Sequence, residues 1–199
     1  IELTTLVGAN GDGHVYEPTP ADAKSVAAAD VVFVNGLGFE GWINRLVKAS
    51  GYKGKVIVAT KGIKELKFEG ELDPHAWQDL SNGRIYIKNI KNALIDVDPN
   101  NSDIYKKNFI AYDKILESMD KLTKDRFADI PKKNRKVITS HDAFLYFGRA
   151  YGIDFRSPVG VTTESEPSAG ELAELITEMR KDNIKALFAE NITDTRLIK

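Results

Sequence analysis

Apolar residues follow two alternating patterns along the chain: short continuous runs, and longer stretches at helical spacing. The runs predict strands that are buried on both faces, as in a parallel sheet. The periodic stretches between them predict amphipathic helices, which gives a repeated βα order. We predict extended segments over residues 3–7, 30–36, 55–59, 136–139, 155–161 and 186–189. We predict helices over residues 21–29, 39–49, 82–97, 102–128, 143–151 and 169–181, with another beginning at 193.

The longest periodic stretch covers residues 102–128 and separates two sets of βα units. Its apolar stripe includes Phe109, Leu116 and Leu122, and charged residues fill the rest. A helix of this length can bridge two lobes. The sequence therefore predicts an α/β fold with two doubly wound βα lobes joined by one long helix. The corresponding divisions are an N-terminal lobe at 1–100, the linking helix at 101–130 and a C-terminal lobe at 131–199.

Composition narrows the classes of function. With 28 basic and 29 acidic residues the formal net charge is −1, whereas a nucleic-acid-binding protein is expected to carry a basic face. The chain has no cysteine, which excludes disulfides, thiolate metal sites and cysteine nucleophiles. No apolar run approaches the ~20 residues that a membrane-spanning helix needs.

The chain contains three histidines, and each follows a predicted strand. His14 comes after 3–7, His75 lies in a turn some way after 55–59, and His141 directly follows 136–139. In open α/β sheets ligands bind just outside the carboxyl ends of the strands. All three imidazoles can therefore point into one cleft and, with a carboxylate, form a four-ligand metal site. The alternative is that each is an ordinary surface or capping histidine.

Other motifs are less informative. The glycine-rich segment 8–13 (GANGDG) lacks the order of a phosphate-binding loop and is better explained as a tight turn that aims His14. Ser140, His141 and Asp142 are adjacent in sequence, which is not the geometry of a catalytic triad. Glu164 and Glu166 lie just before a predicted helix with Ser168 as its N-cap. Packing roles are predicted for Trp42 and Trp77.

Several motifs, in order along nearly the whole chain, resemble one protein family. In the first half they are 11–22 (GDGHVYEPTPAD), 30–36 (DVVFVNG) and 73–77 (DPHAW). In the second half they are 140–147 (SHDAFLYF), 166–169 (EPSA) and 187–190 (LFAE). These segments resemble the ZnuA-like (cluster A-I) zinc- and manganese-binding proteins of bacterial ABC importers.

The resemblance implies a metal between the two lobes. His14, His75 and His141 match three of the family's four ligand positions, and the fourth is an aspartate expected after Lys199. The resemblance also implies a strand and helix before Ile1, so that the chain is expected to be a fragment. Glu190 is expected as a cleft or outer-sphere residue. Asp142, Glu164 and Asp194 are weaker candidates.

Ligand type leaves the metal open between Zn²⁺ and Mn²⁺. Three imidazoles and one carboxylate favour zinc. Zinc-specific relatives often carry a histidine-rich loop before the second ligand, and here residues 64–72 (KELKFEGEL) contain no histidine. That difference favours manganese or mixed use.

The function expected from the resemblance is an extracytoplasmic solute-binding protein that delivers Zn²⁺ or Mn²⁺ to the membrane permease of an ABC importer. We expect a non-enzymatic monomer, periplasmic or, in a Gram-positive source, lipid-anchored. Its metal affinity is expected to fall below a pH of about 6.5. The alternative is a zinc-dependent hydrolase with Glu190 or Asp142 as general base. A surface adhesin is a third possibility that the sequence does not discriminate.

Overall fold

A computed structural model describes residues 1–68, 70–161, 163, 168–184 and 186–191. The elements alternate between helix and strand, as the apolar pattern predicts. The helices are α1 (Pro20–Ala28), α2 (Ile43–Ser50), α3 (Leu80–Val97), α4 (Ser102–Ala128), α5 (Leu145–Tyr151) and α6 (Ala169–Asp182). The strands are β1 (Val31–Val34), β2 (Lys55–Val58), β3 (Lys67–Phe68), β4 (Glu71–Leu72), β5 (Lys136–Ile138) and β6 (Asp154–Arg156). Within these residues no helix has the length and apolar character needed to cross a bilayer.

Two parallel strand pairs form the centres of the two lobes, one on each side of α4 in the sequence. In the first, β1 pairs with β2 so that Val31 lies opposite Lys55. In the second, β5 pairs with β6 so that Lys136 lies opposite Asp154. The strands β3 and β4 form a separate short antiparallel hairpin. Parallel pairs connected through helices are the arrangement expected of βα units.

The core of the first lobe surrounds β1. Its buried residues come from α1, β1 and the start of α2, which therefore pack as helices on a strand pair. Trp42 is buried in this cluster, and its indole N–H donates to the carbonyl of Gly13 at 2.8 Å. The packing role predicted for Trp42 is confirmed. The buried residues are Val26, Val32, Val34, Trp42, Ile43 and Leu46.

Aromatic residues of α5 join the second lobe to the first. Tyr146 is fully buried and packs with Ile63 and Ala76 of the first lobe. Its hydroxyl accepts a hydrogen bond from the backbone N–H of Leu66 at 2.9 Å. A polar group buried this deeply needs such a partner, so the contact fixes where α5 sits.

The long helix α4 begins and ends at the predicted residues, and it packs along α3. A bidentate ion pair fixes this packing: Arg84 of α3 donates to both oxygens of Asp113 of α4, at 2.7 and 2.9 Å. The guanidinium and carboxylate geometries match, which makes this a more specific contact than a single-bonded surface pair.

Two predicted strands differ from the structure. The strand expected over residues 3–7 is wrong: within the described residues it has no partner strand, and Leu3 is 83% exposed. A strand needs a neighbour for its backbone groups, and the apolar pattern alone does not supply one. The strand expected over 186–189 is reduced to a single bridge between Leu187 and Ile138. The helix expected from 193 lies outside the described residues.

The second helix is shorter at its start than predicted. Residues 36–38 all have positive φ (Gly36, Leu37 and Gly38, at 88°, 57° and 86°), and this turn delays the helix to Ile43. The carboxylate of Glu40 stabilises the turn by accepting the backbone N–H groups of Asn35 and Gly36. The delay leaves Phe39 outside the helix.

Candidate metal centre

The three histidines predicted from the sequence meet at one point. The Nε2 atoms of His14 and His75 are 3.1 Å apart, and those of His75 and His141 are 3.3 Å apart. One ring nitrogen from each residue lies within 4.8 Å of the others, and all three side chains are buried. His14 and His75 belong to the first lobe and His141 to the second, so the cluster lies between the lobes.

His14 is presented by a tight turn at the end of the glycine-rich segment. The Asp12 side chain accepts the backbone N–H of His14 at 2.9 Å. The Phe39 ring contacts the imidazole edge-on, with centroids 4.6 Å apart. A Cβ at Gly13 would lie 2.6 Å from that ring, so a larger residue there would displace Phe39 from His14. The glycine-rich segment therefore aims His14, as predicted.

His75 is held by a carboxylate two residues earlier. Oδ1 of Asp73 accepts the backbone N–H of His75 at 2.8 Å and lies 2.7 Å from its Nδ1. Asp73 is completely buried. The Trp77 ring lies on another side of the imidazole, with centroids 5.3 Å apart, and also contacts Phe39. Trp77 thus packs against the site, in line with its predicted packing role.

His141 follows β5 and is held by a residue distant in sequence. Its Nδ1 lies 2.5 Å from Oε2 of Glu190. The hydroxyl of Ser140 donates to the same oxygen at 2.6 Å, and the backbone N–H of Glu190 donates back to Ser140 at 3.3 Å. Glu190 can come this close because the adjacent segment pairs with β5 through Leu187.

These partners determine which nitrogens face the centre. A carboxylate is an acceptor, so the Nδ1 atoms of His75 and His141 carry hydrogen toward Asp73 and Glu190. Each Nε2 is then left with a lone pair directed at the other imidazoles. Lone pairs converging from neutral imidazoles are the arrangement that binds a transition-metal cation, with a carboxylate behind each ring to fix its orientation.

The surroundings of the site shift the pKa values of His14 and Glu190. The pKa of His14 is lowered to about 4, mainly because burial disfavours the imidazolium, with further lowering from His75 and His141 and an opposing effect of Asp12. His14 is therefore expected to remain neutral at a lower pH than an ordinary histidine, while the fall in metal affinity near pH 6.5 stays a prediction. Burial acts to raise the pKa of Glu190, but hydrogen bonds from His141 and Ser140 outweigh it, and the pKa is lowered.

Of the weaker candidates predicted from the sequence, Asp142 lies in the described part of the chain. Asp142 is half-buried beside His141, and its backbone N–H donates to the carbonyls of Val159 and Gly160. Glu164 and Asp194 lie outside the described residues. His14 also faces a cavity of about 900 Å³ that is lined by residues of the β3–β4 hairpin and by Val161.

Sequence reasoning missed two aspartates that orient the first-lobe histidines. Asp12 and Asp73 each stand two residues before a histidine, and each accepts the backbone N–H of that histidine. The repeated spacing Asp-x-His was visible in the chain and could have identified both. The contact of Phe39 with His14 depends on the turn before α2, which leaves no comparable signal.

Comparison with known proteins identifies the family. A family model described as the periplasmic component A of the zinc-uptake complex, ZnuA, matches residues 1–199. The chain belongs to the ZnuA family. The manganese ABC transporter substrate-binding lipoprotein PsaA of Streptococcus pneumoniae is 37% identical over 210 residues, which span 100% of this chain and 68% of PsaA.

Solved structures related to the ZnuA family share the fold. The periplasmic zinc-binding protein TroA of Treponema pallidum matches with a TM-score of 0.89 and 28% identity, over 94% of this chain and 69% of TroA. A serine-to-alanine variant of a manganese-bound periplasmic metal-binding protein from Candidatus Liberibacter asiaticus gives a TM-score of 0.88 and 30% identity. That match spans 98% of this chain and 73% of the other.

ZnuA-family membership settles the class of function. The two-lobe α/β fold is confirmed, and the chain is a metal-capturing solute-binding protein of an ABC importer rather than an enzyme. Proteins of this class work with a membrane permease and act outside the cytoplasm. The hydrolase alternative receives no support.

Proposed function

We propose that His14, His75 and His141 are the protein ligands with which this chain captures Zn²⁺ or Mn²⁺ for delivery to its permease. The observation that carries the proposal is the convergence of three buried Nε2 atoms from both lobes on one point. A cation held there contacts both lobes at once. Binding then favours the closed arrangement, and separation of the lobes releases the metal.

Ligand chemistry favours zinc in a direct competition. Three imidazole nitrogens bind Zn²⁺ more tightly than Mn²⁺ because affinity at nitrogen sites rises along the series from manganese to zinc. The relatives' names include both metals, with manganese in PsaA and zinc in TroA. We therefore propose that the site accepts both ions in vitro and that zinc displaces manganese at equal concentration.

We also propose the lobe boundaries, the oligomeric state and the location of the protein. We take residues 1–100 and 131–199 as the two lobes and 101–130 as the link between them. The protein is expected to act as a monomer, because one chain supplies all three histidines. Relatives named lipoproteins suggest a lipid anchor on the outer face of the membrane in a Gram-positive source, or a periplasmic location otherwise.

Metal titration of the apo protein tests the ligand assignment. Zn²⁺ is titrated calorimetrically into chelator-treated protein and into His14→Ala, His75→Ala and His141→Ala. Each variant is expected to lose more than about 100-fold in affinity, since loss of an outer-sphere partner alone typically costs 10- to 100-fold. Tyr112→Ala removes a half-exposed ring of α4 away from the site and serves as the control.

Two outcomes would contradict the proposal. One is affinity within a factor of two of the wild type in both His14→Ala and His75→Ala. The other is a parallel loss of affinity in Tyr112→Ala, which would mean that the variants act through general destabilisation. Repeating the titration with Mn²⁺, and then adding Zn²⁺ to the manganese-loaded protein, tests the order of preference.

A further inference from the structure

Two different kinds of contact join the lobes, one at α5 and one at the loop that carries His14. On the α5 side the contacts are buried and aromatic. Tyr146 accepts the N–H of Leu66, and Tyr151, only 4% exposed, accepts the N–H of Leu80 at 3.2 Å. The hydroxyl of Tyr151 also donates to Asp120 of α4 at 3.1 Å. Breaking such contacts leaves buried polar groups without partners, so this side holds together.

Among the described residues, a second set of interlobe contacts is polar, joins side chains that are not fully buried and involves the glycine-rich segment 8–13. The hydroxyl of Thr163 donates to Oδ2 of Asp12. The side-chain amide of Asn191 donates to Oδ1 of Asn10 at 3.0 Å and to the carbonyl of Ala9 at 3.4 Å. Water can replace the exposed bonds of Asn191 at little cost, and the part-buried bond between Thr163 and Asp12 joins side chains that are less buried than Tyr146 and Tyr151. These contacts are therefore expected to break before those of α5.

Asp12 connects this weaker side to the first metal ligand. Its Oδ1 accepts the backbone N–H of His14, while its Oδ2 accepts the Thr163 hydroxyl from the second lobe. One carboxylate therefore touches both the turn that presents His14 and the other side of the cleft. By contrast, Asp73, which occupies the same position relative to His75, makes hydrogen bonds to the described residues through Oδ1 alone, and that oxygen binds within its own turn.

We propose that Asp12 is a positioning residue that ties His14 to the second lobe, and that its bond with Thr163 sets how long a bound metal ion stays. Opening begins on this side, while Tyr146 and Tyr151 keep the other side in contact. Loss of the bond frees the His14 turn from the second lobe. His14 then leaves the cation first, with His75 and His141 still close to each other.

Asn191 supports the same assignment from a separate segment. It directly follows Glu190, whose carboxylate holds the Nδ1 of His141. The segment that orients the second-lobe ligand therefore also contacts the loop that carries the first-lobe ligand. Separation of the lobes therefore breaks the contacts between these two segments, so metal release and the loss of these polar contacts are coupled.

The rate of metal release tests this inference, which rests on the proposed metal site. Zinc-loaded protein is mixed rapidly with excess chelator, and dissociation and association rates are measured for the wild type, Thr163→Val, Thr163→Ser, Asp12→Ala and the Asp12→Ala/Thr163→Val double variant. Thr177→Val removes a hydroxyl that donates only to the Ala173 carbonyl within α6 and is the matched control.

Thr163→Val is expected to release zinc roughly threefold to tenfold faster, the effect of losing one part-buried hydrogen bond, while the association rate stays within twofold. Thr163→Ser, which keeps the hydroxyl, should restore the wild-type rate. Asp12→Ala should release zinc faster still, and the double variant should match Asp12→Ala because the bond is already absent.

If the wild type binds zinc and Thr163→Val releases it at the wild-type rate, the proposed role of the Asp12–Thr163 bond is wrong, while the metal site stands. Equal acceleration in Thr177→Val, or additive effects in the double variant, would overturn it as well. A wild-type protein that binds no zinc at all would instead refute the proposed function.

Discussion

Asp73 and His75 form a closed pair in which one carboxylate oxygen fixes both the backbone and the ring of the histidine. Oδ1 of Asp73 lies 2.8 Å from the main-chain nitrogen of His75 and 2.7 Å from Nδ1 of its ring. Both residues are almost fully buried, and Oδ2 of Asp73 has no hydrogen-bond partner among the described residues. The pair therefore serves to orient the imidazole, with Nε2 left to face the cleft.

Removal of this carboxylate should weaken metal binding without removing a ligand. Asp73→Ala is expected to lower Zn²⁺ affinity by about 10- to 100-fold, the usual effect of losing an outer-sphere partner. Asp73→Asn should lose less, because its amide oxygen can still accept the Nδ1 hydrogen. Calorimetric titration measures both. Asp96→Ala, which breaks an exposed pair with Lys55, is the control.

Wild-type affinity in Asp73→Ala would show that the packing of His75 alone keeps its ring in place. A loss in Asp96→Ala as large as in Asp73→Ala would show that the effect is not specific to the site.

The sequence predicted where these elements lie more closely than how deeply they are buried. The apolar run at β1 predicted a strand, of which Val32 and Val34 are buried and the other two residues half-buried. The stripe along α4 predicted the helix to the residue, although Leu122 is 51% exposed and the buried residues of this helix are Tyr105 and Leu116. Residues 3–7 have the same local pattern, but no strand lies beside them in the described structure. Strand formation depends on a partner that the local pattern does not contain.

The site was predictable to the level of its three histidines but not of their supports. His141 follows β5 as predicted, whereas the strand predicted before His14 is absent among the described residues, and only the folded structure shows that the three Nε2 atoms meet. The partner of His141 is Glu190, 49 residues away, so only tertiary contact brings them together. Asp12 and Asp73 are local and were predictable from their spacing.

The depressed pKa of His14 predicts how the stability of the apo protein depends on pH. The folded-state pKa is about 4 against an ordinary value of 6.5, so between these pH values the unfolded chain takes up a proton that the folded chain does not. The contribution of neutral, buried His14 to the free energy of unfolding is thus fully present above pH 6.5. It is lost as the pH falls from 6.5 toward 4. The whole effect is up to about 3 kcal/mol.

Urea unfolding of the metal-free wild type and of His14→Asn, at pH 7 and at pH 5, measures this contribution. The free energy of unfolding of the wild type should fall more steeply than that of the variant, because the variant has no proton to take up at position 14. Parallel declines in the two proteins would contradict the lowered pKa.

Glu190 should matter through His141 rather than as a base that acts on a substrate. Its carboxylate accepts from His141 and Ser140, and those hydrogen bonds keep its pKa low, so that it is ionised at neutral pH. Glu190→Ala is expected to lower Zn²⁺ affinity by about tenfold or more. Glu190→Gln, which retains an acceptor oxygen, should lose less. Glu174→Ala, an exposed position on α6, is the control.

Equal losses in Glu190→Gln and Glu190→Ala would mean that the negative charge near the cation matters more than the orientation of the ring. Unchanged affinity in both variants would separate Glu190 from the metal centre altogether.

Tyr146 allows the joint between the lobes to be tested apart from the metal. Tyr146→Phe keeps the buried ring but leaves the N–H of Leu66 without its acceptor, which should lower the free energy of unfolding by about 1–2 kcal/mol. Tyr112→Phe removes a half-exposed hydroxyl from α4 and should change it by less than about 0.5 kcal/mol. Urea unfolding of the metal-free proteins provides the comparison.

Because the lost bond lies on the side of the cleft that stays in contact, zinc release from Tyr146→Phe should remain slower than from Asp12→Ala. The reverse order would place the opening of the cleft at α5 rather than at the loop before His14.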